Sequence, residues 1–145
     1  EISTLSLHDA LPISQTWSRM AGWLVAAVAG AVYGVAGTIT QAYVWGVLPI
    51  GLIVATAGIT ALVAGLRLLT SDRWAALACG LGALVATVVF SGRGPGGSVV
   101  VPAPPEGQLS TGLIWTFALP IMIAVVVGWP SFAGARRAAA SDRTN

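Results

Sequence analysis

Residues able to move protons, hold metals or attack a bond are few in this chain and far apart. It has one histidine, His8, one cysteine, Cys79, no lysine, and five acids at Glu1, Asp9, Asp72, Glu106 and Asp142. A metal site needs several His, Cys, Asp or Glu side chains brought together, and no such clustering stands in the sequence. Nucleophilic catalysis needs a base beside the nucleophile. Cys79 lies in a long apolar run, where a thiol stays protonated and inert. A lone cysteine also rules out an intrachain disulfide. An enzyme would require Glu106, Arg93 and Gln108 to converge in a pocket outside the apolar segments. The expectation is therefore no catalytic residue, no cofactor and no metal.

The first fourteen residues need separate treatment. Residues 4–13, TLSLHDALPI, resemble one reading frame of a short-read sequencing adapter. Residues 1–14 are accordingly expected to be adapter-derived and disordered, and as a foreign segment they are set aside from fold and function. The alternative is a short amphipathic N-terminal helix. Setting them aside removes His8, Glu1 and Asp9. Seven arginines then face three acids, so the formal charge of the remainder is +4 rather than +2.

What remains must be positioned by apolar elements. Hydrophobic residues make up 56% of the chain and charged residues 8%, against about 25% charged in an ordinary soluble domain. Four runs, at 20–41, 47–69, 74–90 and 111–129, carry no charge except Arg67. Crossing a bilayer takes about 20 helical residues, so each run reads as a transmembrane helix, the third at the short limit. The apolar runs do not alternate with period two, which disfavours a β-barrel. They are apolar on every face, which disfavours surface helices. The expected fold is an all-α integral membrane bundle of four helices over 15–132, with an outer loop at 91–110 and a basic tail at 133–145.

Arg19, Arg67, Arg73, Arg136, Arg137 and Arg143 fall on one side of a four-crossing topology, and Arg93 alone on the other. By the positive-inside rule both termini face the cytoplasm. Arg67 is expected to snorkel to the headgroups. The arginines form no face with aromatics between them, so nucleic acid is not an expected partner. Trp45, Trp74, Trp115 and Trp129 lie near span ends and are expected to anchor at the membrane interface. Trp17 lies near a span end too, and Trp23 within the first turns of span one.

Helix packing is the property written most densely. Gly22, Ala26, Gly30, Gly34 and Thr38 recur every four residues along span one and make a small-residue stripe that lets another helix approach closely. Span three has Cys79, Ala83 and Thr87 at the same spacing, and span two has Ala57, Ala61 and Gly65. Pro49 belongs in the first turn of span two, where its missing N–H costs little. Pro120 lies inside span four and is expected to kink it. The threonines inside the spans can each bond their own helix carbonyls.

The runs Leu48-Pro49-Ile50-Gly51-Leu52, Gly65-Leu66-Arg67-Leu68-Leu69 and Gly97-Ser98-Val99-Val100-Val101-Pro102 resemble a family of small, functionally uncharacterised four-helix membrane proteins of actinobacteria. The resemblance covers about residues 15–130. It implies four helices and a plasma-membrane location, and it transfers no catalytic residue. By contrast, span one lacks the glutamate on which small four-helix multidrug exporters rely.

The expected function is that of a structural or accessory membrane subunit, with the lipid bilayer and either a second copy of the chain or a membrane protein as partners. The alternative is a small oligomeric channel or transporter without a charged coupling residue in the membrane. A channel predicts threonines and Pro120 around a common wet axis; an accessory subunit predicts a dry bundle with an exposed small-residue or aromatic stripe.

Overall fold

The computed structural model describes residues 2–92, 106–107 and 110–130. Its four helices are α1 (Ile2–Thr40), α2 (Ile50–Thr70), α3 (Arg73–Ser91) and α4 (Thr111–Gly128). Each contains a segment long and apolar enough to cross a membrane, that of α1 being Ile13–Thr40. At 1.5 Å per residue the 21, 19 and 18 residues of α2, α3 and α4 extend about 27 to 32 Å, the depth of a bilayer core. The protein is built as an all-α, multi-pass membrane bundle.

Residues 2–14 depart from the expected disorder, because α1 runs unbroken from Ile2. Extending an existing helix fixes one residue per hydrogen bond gained, and Leu5, Leu7, Ala10 and Leu11 are good helix formers.

Residue pairs set the directions of the helices. Gly51 lies against Thr40 and Gly58 against Tyr33, so α1 and α2 are antiparallel. Gly80 meets Ile123, and Arg67 meets the last turn of α4. The order is up-down-up-down. Arg19, Arg67 and Arg73 gather at one end, the arginine end; the opposite one is the loop end. α2 and α3 each touch all the other helices, while α1 and α4 touch least.

The connections follow from local chemistry. Between α1 and α2, Trp45 and Leu48 exchange backbone hydrogen bonds of 3.0 and 3.2 Å. Gly46 between them has φ 63°, a left-handed conformation that glycine takes without a side-chain clash. Pro49 stands at the N-cap of α2. Only Ser71 and Asp72 join α2 to α3. Ser71 adopts φ 51° to reverse the chain, and the Asp72 carboxylate accepts the Trp74 N–H at 2.9 Å, the usual work of an N-cap aspartate. Ser110 caps α4 in the same way, accepting from Leu113 N–H at 3.2 Å.

The apolar core lies on the bundle axis: Ala26, Leu52, Ala55, Ile59, Val63, Ala76, Cys79, Ala83, Leu119 and Ile123 are buried. Leu24, Val28, Val32, Ile53, Val85, Phe117 and Ile121 point outward and are exposed, as side chains facing lipid must be.

Candidate functional site

Among the described residues, the most extensive helix pairing is the seam between α1 and α3. A Cβ placed on Gly30 would fall inside the Cys79 carbonyl, and one on Gly34 inside the Ala83 carbonyl. The Thr38 hydroxyl donates to Gly34 O at 2.7 Å and lies 3.4 Å from the Thr87 hydroxyl. These pairs, and Trp23 with Asp72, all stand 49 residues apart. Two parallel helices are thus locked in one register by four-residue small stripes on both. Ala26 is buried in the same row, whereas Gly22 has nothing within 4 Å and stands clear of the seam. Gly82 adds a further close approach, to Ala27. The stripe is used inside the chain and is not offered to lipid. Of the span-two row, Gly65 likewise has open space around it.

Polar side chains collect at the two ends of this seam. At the arginine end, Trp23 donates its indole N–H to Asp72 Oδ2 at 2.9 Å, and Arg19 lies 3.5 Å from the same oxygen. The Arg19 guanidinium also stands 5.7 Å from the Trp23 ring centroid, within cation–π range. The Trp23 hydrogen bond holds the Asp72 carboxyl below the usual carboxylate range, with the Trp74 amide and the Arg19 charge acting the same way against partial desolvation. A recess of about 440 Å³ opens beside these groups. At the loop end, Thr38, Gln41, Thr87 and Trp115 are all buried. Gln41 donates to Thr38 O at 3.2 Å, but its Oε1 and the Trp115 Nε1 have no hydrogen-bond partner among the described residues.

A carboxyl with a lowered folded pKa, such as Asp72, contributes stability above its unfolded value, about 3.9, and loses it as pH falls through the folded value. Asp72→Asn keeps the cap and an acceptor for Trp23 but removes the charge. The difference in thermal stability between wild type and this variant is expected to be constant near neutral pH and to shrink as pH falls below about 3.9 toward the lowered folded value. Melting curves from pH 3 to 8 measure it; a gap unchanged across that range would contradict the assignment.

Arg67 reaches toward the end of α4. Its guanidinium donates to the carbonyls of Val126, of Val127 at 2.6 Å, and of Trp129. The last four carbonyls of a helix have no partner within it, and a cation there also suits the helix dipole. Arg67 thus ties the end of α4 to α2. Arg67→Met keeps the stem and removes the fork, with an expected loss of about 2 kcal/mol in unfolding free energy. Arg67→Lys is expected to restore less than half, since one ammonium cannot reproduce the planar fork. Full recovery with lysine would show that charge alone matters.

The tryptophans divide. Trp45, Trp74 and Trp129 are exposed at the bundle ends, as is Trp17. Trp115 is not an interface anchor: it is 1% exposed and reaches from α4 to α1, where its Cζ2 would be 2.7 Å from a Cβ on Gly37. The reason is rotational. Trp115 shares a face with Leu119 and Ile123, both buried on the axis, so depth near a span end does not make it face the interface. Pro120 is half-buried and α4 continues through it.

Thr40, Thr56, Thr60 and Thr116 each donate to their own helix four residues back, at 2.7 to 2.9 Å. Cys79 is buried and free. Among the described residues no three His, Cys, Asp or Glu side chains come together. Of the three residues an enzyme would require, Glu106 is exposed, while Arg93 and Gln108 lie outside the described residues. So do Arg136, Arg137 and Arg143, the rest of the tail, and most of the 91–110 loop. Sequence reasoning finds neither the Trp23–Asp72 bond nor the Gln41 cluster; an aspartate directly before a span is the one readable sign of the first. Comparison with known protein families, characterised proteins and solved structures yields no match.

Proposed function

We propose that this protein is a structural or accessory subunit of the plasma membrane, acting by helix packing rather than by chemistry or transport. The observation that carries this is the apolar core. The core from Ala26 through Ile59 and Ile123 is apolar, with buried polar Thr38, Gln41 and Thr87 confined to the loop end, and the threonines that could have lined a pore spend their hydroxyls on their own helices or on the Thr38–Thr87 contact. A conducting path would need several of them turned to one wet axis. The arginine end is assigned to the cytoplasm on the positive-inside bias, and the resemblance to small actinobacterial membrane proteins is consistent with that location. A second copy or a membrane protein is the proposed partner. Among the described residues nothing in the buried interior supplies an acid–base pair, and an enzymatic role is not proposed. The small-residue stripe is occupied within the chain, which leaves the exposed aliphatic and aromatic faces as the contact surface.

Liposomes containing the purified protein test this against a channel. Proton, potassium and small neutral-solute fluxes are expected to equal those of protein-free liposomes. A flux that rises in proportion to protein content would overturn the reading.

A further inference from the structure

We infer that the recess at the arginine end is a binding site for a phosphate group, held by Arg19. The recess lies between α1 and the α2–α3 link and is lined by Arg19, Gly22, Trp23, Thr70, Ser71 and Asp72. It stands at the end of the apolar spans, level with the first turn of α3 where the exposed Trp74 sits, which is headgroup depth in a bilayer. Gly22 keeps it open: no atom comes within 4 Å of where its Cβ would be. This explains why Gly22 continues the stripe of α1 without joining the seam.

Arg19 is suited to an anion. Its side chain is 63% exposed, and its contact with Asp72 is a single approach of 3.5 Å. A guanidinium has five N–H donors in a planar fork that fits phosphate oxygens, and only the Arg19 Nη2 approaches Asp72. Asp72 is committed elsewhere, accepting from Trp23 and Trp74 at 2.9 Å each. It serves as the tether that aims Arg19, with the Trp23 ring beneath. The phosphate is either that of a phospholipid headgroup or a free phosphate ion, and the test separates these.

The full-length protein, delipidated in detergent, is titrated with a short-chain phosphatidylglycerol, a short-chain phosphatidylethanolamine and inorganic phosphate, and binding is read by native mass spectrometry. Arg19→Gln and Gly22→Leu are each expected to weaken binding roughly tenfold, the scale of one charge-assisted contact. Gly22→Leu fills the recess without meeting the seam, so it tests the site even if Arg19→Gln disturbs the fold. Arg73→Gln removes the same charge at the same end without lining the recess and is expected to bind as wild type does. Binding of the phospholipids but not inorganic phosphate identifies a lipid headgroup; equal binding of inorganic phosphate identifies the free ion. The inference is overturned if none of the three probes binds wild type, if both recess variants bind like wild type, or if Arg73→Gln loses as much as Arg19→Gln.

Discussion

Gly30→Leu is expected to abolish the folded bundle, with a loss of about 3 kcal/mol or more, at or beyond the upper end of ordinary overpacking costs. The clash is with backbone. A Cβ on Gly30 would sit 2.6 Å from the Cys79 carbonyl carbon and 3.0 Å from its Cα, and a helix backbone cannot rotate aside as a side chain can. Relief requires α1 and α3 to separate along their length. In lipid no hydrophobic force draws them back, since the association rests on close packing. Gly34→Leu is expected to act alike, because Ala83 stands in the same relation to it. Gly22→Leu is the matched control, in open space, and is expected to change stability by no more than about 0.5 kcal/mol. Unfolding by titration with a denaturing detergent, followed by circular dichroism, gives the comparison. Equal stability of the Gly30 and Gly22 variants would mean that the seam is not where the helices meet.

Trp115→Ala is expected to cost about 3–5 kcal/mol, the range for removing a large buried aromatic side chain. The indole bridges α4 to α1, the two helices that touch least, so few other contacts hold them together when it goes. Gly37 supplies a specific check. A Cβ there would be 2.7 and 2.8 Å from two carbons of the indole, so Gly37→Leu alone is destabilising. In the Trp115→Ala background the leucine enters the space left by the ring and is expected to restore part of the loss, a coupling of about 1 kcal/mol or more. Strict additivity of the two changes would contradict the bridge.

The spans are readable in the sequence because four uncharged apolar runs leave few ways to satisfy the backbone in a bilayer. The stripe of Ala26, Gly30, Gly34 and Thr38 is readable as a packing face. Its partner and register are not. Spacing along one helix says which residues share a face, but the 49-residue offset to Cys79, Ala83 and Thr87 depends on where α3 begins after the two-residue link. Trp115 shows the limit on the other axis. Its depth suggests an anchor, and its rotation about α4 buries it. A helix apolar all round offers no contrast by which rotation can be read. Arg67 is legible as a cation near a span end, yet the carbonyls it holds belong to a helix about 60 residues later. Disorder over residues 1–14, expected from their resemblance to an adapter, gives way from Ile2 to a helix that runs on through Pro12.

These residues describe a protein whose content is packing: one tightly registered helix pair, a tryptophan bridge, an arginine tie, and apolar faces directed outward. The most direct test is the mass of the particle that the full-length protein forms when extracted from its own membrane in a mild detergent. The account predicts a stoichiometric assembly, either more than one copy of the chain or the chain with a membrane protein, that survives dilution. A single chain carrying only lipid and detergent would contradict it.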